Sequence, residues 1–217
     1  MNKSNLNLKE TIYNAILEDI FNYEYKPQQI LNEKQLTEKY NCSKSPVREA
    51  LISLCDENVL RSIPRYGYEV VRLTMEDVED MLEFRYLLEG GLLKVNFTKF
   101  NKNQIDKLKE LDEACSMPAM GVWEHWESNV AFHMQMMAFC KNDCAYNELH
   151  RIMNCLKRAY AQFYWNKWDS LGKPLDTKYH KDIIRCIEEK DAENLLRVLK
   201  KDLMDFGNTH LELTEFF

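Results

Sequence analysis

Glycine and proline are scarce in this chain, six and five among 217 residues. So few turn formers argue against a loop-rich or many-stranded architecture and for a chain that is mostly helix. No run of 18 apolar residues occurs, which excludes a membrane-spanning helix. The opening residues MNKSNLNLKE hold no apolar signal core, so the chain is expected in the cytoplasm. The seven cysteines are an odd number, scattered at positions 42, 55, 115, 140, 144, 155 and 186 without a CxxC pair. That pattern argues against a disulfide framework or a zinc finger and for reduced thiols. Positive charge is not in excess either. The net charge is −6, which disfavours a coat that binds any nucleic acid. Neither repeats nor low-complexity stretches appear.

The stretch around which the rest is organised is NEKQLTEKYNCSKSPVREALISL, residues 32–54. Asn32 can cap a first short helix, with Gln35 placed to complete a capping box. Asn41 sits where a left-handed residue would end that helix. Ser43-Lys44-Ser45-Pro46 then opens a second helix, with either serine as cap and proline tolerated in the first turn. Val47, Ala50, Leu51 and Leu54 form one apolar face at helical spacing. Lys44, Ser45 and Arg48 are left on the other face. This is the layout of a helix-turn-helix, whose second helix meets base edges with its first residues.

A hairpin follows. Leu60–Ile63 and Tyr68–Val71 are β-rich, and Pro64-Arg65-Tyr66-Gly67 lies between them as a cationic, aromatic tip. A hairpin directly after a helix-turn-helix reads as a wing, with Arg65 reaching a phosphate or the minor groove. Residues 1–75 hold ten Lys/Arg and ten Asp/Glu, and residues 76–217 hold nineteen and twenty-five. The acidic excess therefore lies wholly in the second part. Lys34, Lys44, Arg48 and Arg65 fall on the expected reading surface, and such a patch makes affinity fall with salt.

The order SKSPVREAL, then an aromatic-Gly wing, then FRYLLE in the next helix resembles the GntR-type bacterial transcription regulators. More narrowly it resembles the FadR-like subgroup with a helical C-terminal FCD domain, and the likeness runs to about residue 205. The resemblance implies a mainly α protein: a winged helix-turn-helix at residues 1–73 and an all-α antiparallel helical bundle at 74–217. It implies a homodimer on double-stranded operator DNA, usually a repressor, controlled by a small effector. Position by position it carries DNA contact to Lys34, to Ser43, Lys44 and Ser45, to Arg48, and to Tyr66 and Gly67 beside Arg65. The middle residue of the Ser43-Lys44-Ser45 triplet is usually arginine, and lysine lacks its bidentate fork. Gln28 and Asn58 stand where the family has glycine.

Helix one is expected over Leu8–Tyr23, with Pro27 in the connection after it. Thr74 caps a helix to about Val95, so apolar that it should lie deep in a bundle. Arg85 interrupts it. The resemblance implies that Arg85 points into the ligand pocket and holds a carboxylate; the alternative is an ion pair with Glu83 or Glu89. Further helices are expected near 102–115, 120–139, 143–168, 176–189 and 191–212. The tryptophans at 123, 126, 165 and 168, with Tyr160 and Tyr164, line a pocket or, more simply, fill the core.

The FCD resemblance also implies a metal set at Asn129, His133, His180 and Asp202, positions that are typically Asp, His, His and His. Asparagine and aspartate are departures here. A mixed N/O set of this kind suits zinc, nickel or manganese, and the alternative is a satisfied polar cluster. Two further readings stay open at this point. One keeps DNA binding with a metal-free pocket for an apolar effector. The other is a helical-bundle metalloenzyme, against which stand the missing HExxH spacing and the lack of a base or nucleophile constellation.

Overall fold

The computed structural model describes residues 3–115, 121–164, 177–206 and 209–210. The described residues form two compact units. The first holds the residues up to Thr74 together with the end of one later helix from Arg158 onward, and the second holds Met75–Lys157 and residues 177–206 with the short strands that follow. Among the described residues no helix is long and apolar enough to cross a membrane. All seven cysteines are free thiols.

In the first unit α1 (Lys3–Phe21) is followed by β1 (Ile30–Leu31), α2 (Glu33–Lys39), α3 (Lys44–Asp56), β2 (Leu60–Ile63) and β3 (Gly67–Val70). α1 begins five residues before the expected Leu8 and ends two before the expected Tyr23, which itself takes a left-handed φ of 60°. The stripe Ile12, Ile16 and Ile20 meets Leu36, Val47, Ala50, Leu51 and Leu54 in one buried core. The helical spacing of those residues is thus the reason α1, α2 and α3 close on each other. Asn32 caps α2 by accepting from the Lys34 amide at 2.8 Å. Asn41 ends the turn with φ 48°. Ser43 takes the cap position of α3 without a side-chain cap bond, so its hydroxyl stays exposed.

The hairpin is as expected, with a third strand added. β1 pairs antiparallel with β3, Ile30 opposite Glu69 and Leu31 opposite Tyr68, giving the order β1-β3-β2. Two residues are too few to show alternation, so β1 carries no periodic signal in the sequence. The glycine of the wing also has a different reason from turn geometry alone. The left-handed turn residue is Arg65, φ 71°. At Gly67, φ is 137° and an added Cβ would lie 2.3 Å from the Leu31 carbonyl oxygen. Gly67 therefore permits the close approach of β1.

Gln28 and Asn58 both have positive φ, 67° and 54°. Glycine in their place relieves the left-handed strain. The Gln28 amide donates to the Val70 carbonyl at 2.8 Å, a bond glycine keeps. We expect Gln28→Gly to raise stability by about 0.5–1 kcal/mol, with the strain relief partly offset by glycine's unfolded-state entropy, and a smaller gain for Asn58→Gly. Urea midpoints check this; a loss of stability in Gln28→Gly would refute it.

The second unit runs α4 (Met75–Asn96), a 3-10 turn (Phe97–Lys99), α5 (Lys102–Cys115), α6 (Val122–Phe139), α7 (Asp143–Tyr164, of which the residues from Arg158 onward belong to the first unit), α8 (His180–Glu189) and α9 (Ala192–Leu203). α9 packs on α8 and α4, and α5 on α6 and α8. Residues 205–206 and 209–210 form a short antiparallel hairpin, which corrects the expected helix to 212. Pro118, Trp165, Trp168 and the Gly172-Lys173-Pro174 break lie outside the described residues. Trp126, Tyr160 and Tyr164 are buried. α4 is not buried all round: Val78, Leu82, Tyr86 and Leu93 face inward, while Phe84, Leu87 and Val95 are 39%, 40% and 65% exposed. The second unit by itself covers only one side of that helix.

Candidate DNA-reading surface and polar core site

The first site is a groove of about 410 Å³ where α2, the start of α3 and the wing meet. It is lined by Lys34, Lys44, Arg48, Arg65, Tyr66 and Gly67, with Asn32, Glu33, Ser62, Ile63, Pro64 and Tyr68. Tyr66 is 70% exposed at the wing tip. Ser43 and Ser45 are exposed at the helix start beside it, with the Ser45 hydroxyl 3.0 Å from Glu49 Oε1. Six of the eight sequence-predicted residues thus line one groove, and Ser43 and Ser45 are exposed on either side of Lys44 in the chain. Glu38 lies 3.9 Å from Lys34 Nζ with both groups largely exposed, a pair that contributes little. Glu33 lies 3.3 Å from Arg48 Nε and also accepts from the Tyr68 hydroxyl. Arg61 is committed to its cross-strand neighbour Glu69, which removes one wing cation from the reading surface.

The second site lies inside the helical unit. His133, His180 and Asp202, from α6, α8 and α9, bring one ligand atom each within 4.8 Å of one another, all buried. Asn129 is also buried, one turn before His133 on α6. Phe132 stacks on the His180 ring with centroids 3.8 Å apart, which fixes that ring's plane.

His133 and His180 are held very differently. His133 Nδ1 is 2.7 Å from Glu89 Oε2, and its Nε2 is 3.1 Å from Asp202 Oδ2. His180 has no hydrogen-bond partner on either ring nitrogen among the described residues, and neither does Asp202 Oδ1. These two groups lie 3.9 Å apart, and Asp112 Oδ1 lies 3.8 Å from the other His180 nitrogen. A fully buried imidazole and a carboxylate oxygen that face each other beyond hydrogen-bond reach are costly unless something sits between them. One carboxylate and two imidazoles form a donor set that accepts a divalent cation, so the residues fit one.

Electrostatics separates the two imidazoles as well. Burial, the largest influence, lowers the His133 pKa, but the Glu89 charge and the hydrogen bonds to Asp202 and Glu89 together outweigh it and carry it to about 9. His180 is pushed down to about 3, chiefly by burial, and is neutral. Burial would raise the Glu89 carboxyl; the charges of Arg85 and His133 override this and bring it to about 2.

Arg85 meets the ion-pair alternative. Its Nε is 2.8 Å from Glu89 Oε1, with both side chains buried, while its Nη2 has no hydrogen-bond partner among the described residues. Glu89 and Asp112 were not singled out from sequence as site residues. Their signal was present: Glu89 follows Arg85 by four and lies on the same buried face, and Asp112 replaces an apolar residue four after Leu108 and three before Cys115. Of the remaining histidines, His125 is buried and His150 exposed, and the His210 side chain lies outside the described residues.

Comparison with known proteins agrees with both halves. The family model "Bacterial regulatory proteins, gntR family" matches residues 8–70, and the model "FCD domain" matches residues 80–204. An uncharacterized HTH-type transcriptional regulator of Bacillus subtilis, YdhC, is 29% identical over 143 residues, 64% of each chain. That match spans just under two thirds of the relative's own length. The HTH-type transcriptional repressor RspR of Escherichia coli is 20% identical over 93% of this chain and 88% of its own. The gluconate operon transcriptional repressor of Bacillus subtilis is 25% identical over 81% of this chain and 74% of its own. Among solved structures, E. coli McbR/YncC superposes with a TM-score of 0.69 at 18% identity, covering 90% of this chain and 93% of that one. A regulator from Rhodococcus sp. RHA1 gives 0.68 at 16%, covering 92% and 95%; at these identities the likeness is one of fold. With a winged helix-turn-helix at one end and the FCD domain over more than half its length, this chain belongs to the GntR family of bacterial regulatory proteins and is a transcriptional regulator rather than an enzyme.

Proposed function

We propose that the chain is a sequence-specific repressor that reads a semi-palindromic operator as a homodimer. Residues 1–73 serve as the DNA-binding domain and residues 74–217 as the effector-binding and dimerisation domain. The observation that carries the reading is the groove that gathers Lys34, Lys44, Arg48 and Arg65 on one face of an otherwise acidic protein. The exposed apolar side of α4 favours a second copy as its cover. A DNA duplex from beside the protein's own gene, titrated against a shuffled duplex, tests this. Specific binding is expected, with log K falling against log salt at a slope of about −3.6 per subunit for four neutralised phosphates. Equal affinity for both duplexes would refute it.

We further propose that the effector is a small organic acid held by Arg85 and by a divalent metal (zinc, nickel or manganese) on His133, His180 and Asp202, with Asn129 as a fourth, weaker donor. A divalent cation bound there supplies positive charge to a carboxylate. Effector binding acts on DNA affinity by favouring one of two arrangements of the dimer.

A further inference from the structure

Glu33 has the wrong sign for the surface it occupies. A carboxylate beside a recognition helix repels phosphate, although the first turn of α2 in which it stands favours an acid. Its contacts give the reason. Glu33 stands in the first turn of α2, and its Oε1 accepts from the Tyr68 hydroxyl at 3.2 Å and lies 3.3 Å from Arg48 Nε. The contact therefore joins α2, α3 and β3 at one oxygen. Tyr68 is partly buried, and burial first, then its bond to Glu33, raises its pKa, so it remains a donor. Arg48 is 67% exposed. An arginine with that freedom loses side-chain entropy on meeting a base, and holding it beforehand lowers that cost.

We propose that Glu33, anchored by Tyr68, is a positioning residue that sets Arg48 for base reading: it engages Nε and leaves the terminal pair Nη1 and Nη2, the fork that matches guanine O6 and N7. The inference rests on Arg48 being the base contact, as proposed above. It makes Glu33 a source of discrimination at the cost of affinity. Removing its charge leaves non-specific binding equal or tighter, whereas a merely structural residue would weaken all binding alike.

The test uses the full-length protein and a duplex that the wild type enriches from a randomised pool. Affinity is measured for that duplex, for each single-base-pair change at its G·C positions, and for a shuffled duplex. Glu33→Gln is expected to lower discrimination about tenfold at the same base pair that Arg48→Ala affects, with shuffled-duplex affinity unchanged or raised. Tyr68→Phe removes only the hydroxyl and is expected to lose a few-fold at that base pair. It is also the second variant should Glu33→Gln not fold. Full discrimination in Glu33→Gln or Tyr68→Phe, beside a loss in Arg48→Ala, overturns the proposal. So does equal weakening on all duplexes. Full discrimination in Arg48→Ala overturns instead the underlying reading of Arg48.

Discussion

Arg48→Ala should reduce discrimination between the preferred operator and a single-base variant by about 10- to 100-fold, the worth of one bidentate arginine–guanine pair. Binding to shuffled DNA should weaken far less, with the salt slope smaller by about 0.9 per subunit for one lost phosphate-sized charge. The position explains the size of the effect. Arg48 lies one turn into α3, opposite the buried face of Val47, Ala50, Leu51 and Leu54, where a recognition helix presents its side chains to the major groove. Lys44, its neighbour, is a point charge and cannot take over the planar fork. Arg48→Lys separates the two roles: the salt slope should persist while discrimination is lost. Competition titrations with matched and mismatched duplexes measure both. Wild-type discrimination in Arg48→Ala would remove Arg48 from the reading surface.

Adding zinc, nickel or manganese to chelator-treated protein should raise its melting temperature, and His180→Ala should abolish the shift. At a free concentration one hundred times Kd, binding contributes about 2.7 kcal/mol, roughly 5–10 °C for a chain of this size. His180 is the cleaner position to change. It is neutral and forms no hydrogen bond among the described residues, so its loss removes a ligand and a stacking partner of Phe132 but leaves Glu89–His133–Asp202 intact. His133→Ala would instead leave the buried Asp202 carboxylate and Glu89 Oε2 without their partner, with Glu89 still paired to Arg85, and cost several kcal/mol whether or not metal binds. A shift that survives in His180→Ala would place the metal elsewhere. No shift in the wild type would reduce the site to a polar cluster and turn the effector search to metal-free ligands.

The pH dependence has two opposite parts. His133 has its pKa raised to about 9 from an ordinary 6.5. In metal-free protein its stabilising share is therefore full below about pH 6.5 and disappears as pH rises through 9. Metal must displace that proton, so metal affinity should rise about tenfold per pH unit up to the same pKa. Melting with and without metal at pH 6.5 and 8.5 reads both trends. A metal-induced shift that shrinks with rising pH would contradict His133 as a ligand.

The sequence alone determined the helix-turn-helix. Its signals are local: a capping asparagine, a left-handed Asn41, a proline in a first helical turn, and one apolar face on α3. The same holds for the wing. The set Asn129, His133, His180 and Asp202 came only from the family resemblance, and it is the packing of three helices that brings His133, His180 and Asp202 within reach of one another. Residues whose meaning depends on partners distant in sequence were not legible. β1 is two residues long and exists only because β3 lies beside it. Gly67 is needed for the close approach of the Leu31 carbonyl as well as for its positive φ. Phe84, Leu87 and Val95 continue an apolar pattern that reads as core, yet in this unit they face outward. Glu89 stands in the sequence only as one of two possible ion-pair partners of Arg85, and Glu33 carries no local signal at all. Only the tertiary structure sets the first between Arg85 and His133 and the second between Arg48 and Tyr68. Backbone propensity is written in neighbouring residues, whereas the pairing of buried or half-buried charges is decided by which helices pack together.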